Sequence, residues 1–216
     1  MAKIEELLDI GEEKWEKLME LGRPRTFKAG EMLFMQGEAS EFLYCIKAGI
    51  VKNSIYMPNG KEKIIHFLLP PALTGQSGIF DNLGNICSAT ALTEVCCIAV
   101  SRSKFIAFLF ENPQVMYRIC WDLVKKARCT QSQAEDVYNT VPQKLARFLL
   151  DACQYGIVSR HKSSSIAFTH DEIANLLGTT RQRVTQYLND FEKQGLIQKG
   201  VKNIKVLDAG KLAQYL

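Results

Sequence analysis

The chain of 216 residues is short of the features that would place it in a membrane or give it an enzyme's chemistry. No apolar run reaches the roughly eighteen residues a membrane-spanning helix needs. The opening stretch MAKIEELLDIGEEKWEKLME is acidic and amphipathic, without the basic start and apolar middle of a secretion signal, so the expected location is the cytoplasm. Histidine is scarce: His66, His161 and His170 are the only three, and none stands beside an evident nucleophile. No H-E-x-x-H, G-x-S-x-G or Walker loop occurs, which argues against an enzyme. There are seven cysteines, an odd number, and no C-x-x-C pair among them. Zinc and iron–sulfur sites use closely spaced pairs, so the thiols read as reduced, small, buried hydrophobes, with no metal and no certain cofactor.

The charge that is present is unevenly spread. Residues 1–111 carry 12 basic and 14 acidic groups, residues 112–139 carry 4 and 3, and residues 140–216 carry 11 and 6. Only the last part, at net +5, suits a polyanion partner. The same three stretches differ in pattern. Residues 4–21 have helical spacing. From Arg23 to Val100, short alternating runs are broken by glycines, with Pro58-Asn59-Gly60 as a hairpin signal, which predicts a sandwich, barrel or roll. Residues 112–139 contain no glycine. Met116, Ile119, Leu123, Ala127, Thr130, Ala134 and Val137 step by three or four along them, which predicts one long amphipathic helix. Such a helix between two domains is expected to bury its stripe against a second copy, the alternative being packing on the strand domain.

Residues 169–197, THDEIANLLGTTRQRVTQYLNDFEKQGLI, predict two capped helices about a tight turn. Thr169 and Glu172 fit a capping box, and Gly178 suits a left-handed helix end. Thr179 or Thr180 caps the second helix, whose inner stripe is Val184, Leu188 and Phe191. Thr180, Arg181, Gln182, Thr185, Gln186 and Asn189 remain at its start or on its other side. Hydrogen-bonding side chains on the first turns of a second helix are what a major-groove reader requires. The basic run after it, around Gly200, reads as a two-stranded wing whose Lys199, Lys202 and Lys205 suit phosphates.

This order of parts resembles the Crp/Fnr family of transcription regulators over roughly residues 20–210. The resemblance rests on FKAGEMLFMQGE and LYCIKAGIVKNSI in the strand region, a glycine-rich cassette, a long helix opening at Asn112-Pro113, and DEIANLLGTTRQRVTQYLNDFEKQGLI. It implies an α+β architecture: an N-terminal β-roll of double-stranded β-helix or jelly-roll type with flanking helices (1–111), a dimerisation helix (112–139) and a C-terminal winged helix (140–216). It also implies an allosteric homodimer that binds promoter DNA, with RNA polymerase as a further candidate partner. Effector-binding positions carried over are Gly75, Gln76, Ser77, Gly78, Cys87, Ser88 and Thr130.

The chain departs from the family's pattern at both ends. Gln76 and Cys87 stand where cyclic-nucleotide-binding members carry a Glu for the ribose and an Arg for the phosphate. The expectation is weak or no cAMP binding. A small, fairly apolar organic effector near Phe67, Ile79, Phe80, Ala127 and Thr130 fits that departure, and an effector-free or thiol-redox-controlled regulator is the alternative. Gln182 and Gln186 stand where many members have a Glu and an Arg that read bases, so a more A·T-rich site is expected. Residues 1–44 hold no cysteine for an iron–sulfur cluster, and His66 reads as a packed side chain rather than a haem ligand.

Overall fold

The computed structural model describes residues 10–135, 138–154, 165–166, 168–200 and 203–216. The chain divides into two compact units between Arg128 and Cys129.

The first unit opens with α1 (Glu12–Glu20), followed by β1 (Arg23–Phe27), β2 (Met32–Phe34), β3 (Phe42–Ala48), β4 (Val51–Tyr56), β5 (Glu62–Leu68) and β6 (Ala72–Thr74). A short helix α2 (Gln76–Asp81) separates these from β7 (Ser88–Ala91) and β8 (Val95–Ser101); α3 (Arg102–Glu111) and α4 (Pro113–Glu135), which runs on past the boundary at Arg128, close the series. The eight strands form two four-stranded antiparallel sheets, β1-β8-β3-β6 and β2-β7-β4-β5. The Pro58-Asn59-Gly60 signal is the turn of the β4–β5 hairpin, where the Met57 amide donates to the Lys61 carbonyl at 2.9 Å. Alternation within the strands sends one set of side chains between the sheets. There Leu33, Phe34, Val51, Leu68, Ala89 and Ala91 meet Ile46, Ala72, Val95 and Cys97.

A second core lies on the other face of β3 and β8. Leu43, Cys45 and Val100 are covered there by Leu18 of α1, Ile79 of α2, Phe105, Phe108 and Leu109 of α3, and Val115 and Ile119 of α4. Full burial of each large side chain contributes about 1.5–3 kcal/mol, so α4 is anchored to the roll by its own residues. For Met116, Ile119 and Leu123 this corrects the expected burial against a second copy and favours the alternative, packing on the strand domain. Ile119 is fully buried, and Met116 and Leu123 pack against the same core. Tyr117, Cys120, Trp121 and Val124 of α4 are exposed, on a different face. Ala127 is exposed; Thr130, Ala134 and Val137 fall outside the residues whose side chains are described.

The second unit contains α5 (Val141–Gln154), β9 (Ser165–Ile166), α6 (His170–Leu177), α7 (Arg181–Lys193), β10 (Ile197–Gly200), β11 (Asn203–Val206) and α8 (Ala209–Ala213). Helix α5 packs against α6, α7 and α8. The strands form a sheet ordered β10-β11-β9, the expected wing with a third short strand added. Leu145, Phe148, Leu149, Ile173, Leu176, Val184, Leu188, Phe191 and Leu212 are buried in this unit. No helix among the described residues is long and apolar enough to cross a membrane.

Candidate nucleic-acid interface and effector site

Local chemistry sets the geometry of α6 and α7. Thr169 caps α6: its hydroxyl accepts from the Glu172 amide at 3.2 Å, and its own amide donates to the Glu172 carboxylate at 2.7 Å. Two amides with no partner inside the helix are thereby satisfied. Gly178 ends α6 at φ 66°, a left-handed conformation that a Cβ disfavours. Two residues later Thr180 caps α7, its hydroxyl accepting from the Arg183 amide at 3.4 Å. Thr180 is thus occupied with helix initiation. Val184, Leu188 and Phe191 are buried, so rotation of α7 is fixed.

The residues expected to meet DNA fall into two groups. Arg181, Gln182 and Gln186 are exposed, as is Arg183, which the helical pattern alone did not single out. Arg181 lies 3.6 Å from Asp171 across an exposed pair, a contact of little net strength. Thr185 and Asn189 are half-buried and already bonded within the protein. Thr185 Oγ1 is 2.8 Å from Nδ1 of His170 on α6. The Lys199 ammonium on β10 bonds Asn189 and lies 3.0 Å from the Glu192 carboxylate, whose other oxygen accepts from the Lys199 amide at 2.8 Å. That backbone bond, followed by the side-chain bond to Lys199, holds the Glu192 carboxyl below its usual range. Lys199 therefore ties the wing to α7. Lys205 lies on β11, and Lys202 lies outside the described residues.

In the roll, Gly75 precedes α2 at φ 92°, and a Cβ there would meet the Phe42 carbonyl oxygen at 2.8 Å. Gly78 lies within α2, where a Cβ would approach the Gly84 carbonyl oxygen to 2.5 Å. Both glycines permit close packing, and the glycine-rich cassette here is a short helix pressed against the turn at Gly84. Gln76 at its start is buried, and its amide donates to the Asp122 carboxylate on α4 at 3.4 Å. Asp122, also buried, pairs with Lys126 one turn on at 2.9 Å. Ser77 and Cys87 are half-buried. Ser88 is buried, its hydroxyl accepting from the Gln36 amide at 2.9 Å. The side chain of Thr130 lies outside the described residues.

Two residues before Gln76, Thr74 opens a second polar group that sequence reasoning missed. Its hydroxyl lies 3.3 Å from the Asn53 amide nitrogen, which is 3.1 Å from Nε2 of His66. Asn53 and Thr74 are buried between the sheets. His66 retains some accessible surface, yet its ring is enclosed by protein. Desolvation, with the Lys126 charge second, pushes its pKa down to about 3, so it is neutral at physiological pH. The signal in the sequence was the alternation itself, which puts Asn53 and His66 on the face shared with Val51 and Leu68. The apolar surroundings expected of the effector are used elsewhere. Phe67 and Ile79 are fully buried, and Phe80 leans on Phe105 with ring centroids 6.2 Å apart.

The thiols are reduced where described. Burial pushes the Cys45 pKa up to about 12 and that of Cys97 up to about 11, and raises that of Cys153. Among the described residues, no three His, Cys, Asp or Glu side chains are grouped to hold a metal.

Two family models match the chain in the order of its two units: a cyclic nucleotide-binding domain over residues 24–112, and a Crp-like helix-turn-helix domain over residues 143–215. The chain belongs to the Crp/Fnr family of transcription regulators. A CRP-like cAMP-activated global transcriptional regulator of Mycobacterium tuberculosis is 29% identical over 197 residues, 89% of this chain and 87% of the relative. Among solved structures, FixK2 from Bradyrhizobium japonicum superposes with a TM-score of 0.80 at 20% identity, covering 90% of this chain and 96% of that one. The c-di-GMP responsive global regulator CLP of Xanthomonas campestris gives 0.79 at 18% identity, covering 92% and 100%. Both likenesses show a shared fold over nine tenths of the chain. The chain is thus a DNA-binding regulator of the Crp/Fnr type.

Proposed function

We propose that this Crp/Fnr regulator works as a cytoplasmic homodimer that reads promoter DNA with α7, and that its roll does not respond to cAMP. The DNA reading is supported by the exposed cluster Arg181, Gln182, Arg183 and Gln186 on the first turns of a helix whose other face is buried. Arg suits guanine, and Gln suits adenine. With Gln at both 182 and 186, the favoured half-site is richer in A·T than one read by Glu and Arg. Selection of bound sequences tests this, and recovery of a G·C-dominated half-site would count against it. Arg181→Ala should abolish specific gel shift at fixed salt while leaving the fold intact. Dimerisation is assigned to the exposed α4 face of Tyr117, Cys120, Trp121 and Val124.

The observation that carries the effector reading is the charge balance of the site. A phosphate diester needs a cation or several convergent N–H groups. Position 87 is a cysteine, and Gln76 faces a carboxylate, Asp122, which already neutralises Lys126. The remaining groups, Asn53, His66 and Thr74, are uncharged hydrogen-bonding side chains. They favour a neutral polar ligand over an apolar one. Because they are bonded to one another, effector-independent activity is the second reading. Titration calorimetry with cAMP tests the first claim directly: micromolar affinity would refute it.

A further inference from the structure

We propose that His170 is a positioning residue for base reading, linking a DNA phosphate, through its outer ring nitrogen, to the base contact made by Thr185. This rests on the assignment of α7 as the DNA-reading helix. In a helix-turn-helix the first helix crosses the phosphate backbone, and the N-terminal residues of the second meet base edges. His170 is the first residue of α6, held there by the capping box of Thr169 and Glu172. Thr185 lies in the second turn of α7, next in helical order to Arg181 and Gln182. Their side chains meet at 2.8 Å through Nδ1 and Oγ1. Thr185 therefore does not present a freely rotating hydroxyl to the groove. With Nδ1 engaged, Nε2 is the nitrogen that remains for a phosphate oxygen.

The bond also fixes which way Thr185 is polarised. When His170 is neutral with its proton on Nε2, Nδ1 accepts and the threonine hydroxyl donates inward. The oxygen then faces a base as an acceptor, matching adenine N6 or cytosine N4. When His170 is protonated, Nδ1 donates to Oγ1 and the hydroxyl proton is released toward the base, matching guanine or thymine acceptors. The charged groups around the imidazole are Asp171 on its own helix, Arg181 on α7 and Lys199 on β10. Desolvation, then Lys199 and Arg181, hold its pKa below the ordinary value, so the free protein carries it neutral at neutral pH. A phosphate placed at Nε2 favours the protonated ring. DNA binding then takes up a proton, and affinity rises as pH falls.

The test uses the full-length protein as wild type, His170→Asn and His170→Ala, with bound-sequence selection and salt-controlled affinity measurements at pH 6 and pH 8. Asparagine keeps a polar atom at the Nδ1 position and cannot titrate. The wild type should bind several-fold more tightly at pH 6. It should also change preference at one base pair of each half-site, from adenine or cytosine at pH 8 to guanine or thymine at pH 6. His170→Asn should keep a preference at that pair with no pH dependence, and His170→Ala should lose preference there while the rest of the site is unchanged. A wild-type selection profile that is the same at both pH values overturns the inference, as does a loss in His170→Ala spread evenly over all positions. A wild type that selects no sequence at either pH overturns the DNA reading itself, and this inference with it.

Discussion

Removing the Asp122 carboxylate would cut the polar bridge between α2 and α4. In the native protein it holds Lys126 at 2.9 Å and Gln76 at 3.4 Å, with the Lys126 and Asp122 side chains 19% and 11% exposed. Stranding one partner of a fully buried ion pair costs about 3–5 kcal/mol. Lys126 is not fully buried, and its long stem can carry the ammonium toward water, which brings the cost down to roughly 2 kcal/mol. Gln76 also loses a long hydrogen bond in a buried setting, adding about 1 kcal/mol. Asp122→Ala should therefore destabilise the first unit by roughly 2–3 kcal/mol. Both tryptophans, Trp15 and Trp121, lie in that unit, so urea unfolding followed by tryptophan fluorescence reports it apart from the DNA-binding unit. In the double variant Asp122→Ala, Lys126→Ala the stranded charge is gone, and the loss should be smaller than for Asp122→Ala alone. A single-variant change under about 0.5 kcal/mol, or a double variant worse than both singles, would refute the reasoning.

His66 has a folded pKa near 3 against an ordinary value of 6.5. The unfolded chain therefore takes up a proton that the folded chain refuses. The stability this contributes is complete above pH 6.5 and is lost as pH falls toward 3, at up to about 1.4 kcal/mol per pH unit. In His66→Gln, urea midpoints between pH 6 and 4 should fall less steeply than in wild type. Thr169→Ala removes the capping box and should cost about 1 kcal/mol in the second unit, read as faster amide exchange along α6. Gly178→Ala forces a Cβ into the left-handed region at φ 66°, an expected loss of about 1–2 kcal/mol with weaker DNA binding. On the proposal that the roll does not respond to cAMP, Cys87→Arg supplies the missing cation, and calorimetry should detect cAMP binding in the variant but not in the wild type.

The helix-turn-helix was legible in the sequence because its determinants are local. Thr169 and Glu172 are three residues apart, Gly178 follows Leu177, and Val184, Leu188 and Phe191 repeat along one face over two turns. Each feature acts within a few residues of itself. The hairpin at Asn59-Gly60 was readable for the same reason. The first half of the α4 stripe was misread because periodicity identifies faces without naming their partners. Met116, Ile119 and Leu123 meet α1, α3 and the roll, and only tertiary packing decides that. The partners of the cassette residues could not be read from order along the chain. Gln76 finds Asp122 across 46 residues, and Asn53 finds Thr74 across 21.

The sequence by itself determined the order of parts, the turn positions, the helix caps and the basic character of the last third, because these follow from neighbouring residues and from simple summation of charge. Tertiary structure decided which polar groups have partners. Thr185 and Asn189 look like equals of Gln182 and Gln186 on a helical projection, yet His170 and Lys199 hold the first two and leave the others exposed. Hydrogen bonds between elements depend on how helices and strands dock, and docking is settled by packing of the whole core rather than by any local run of residues.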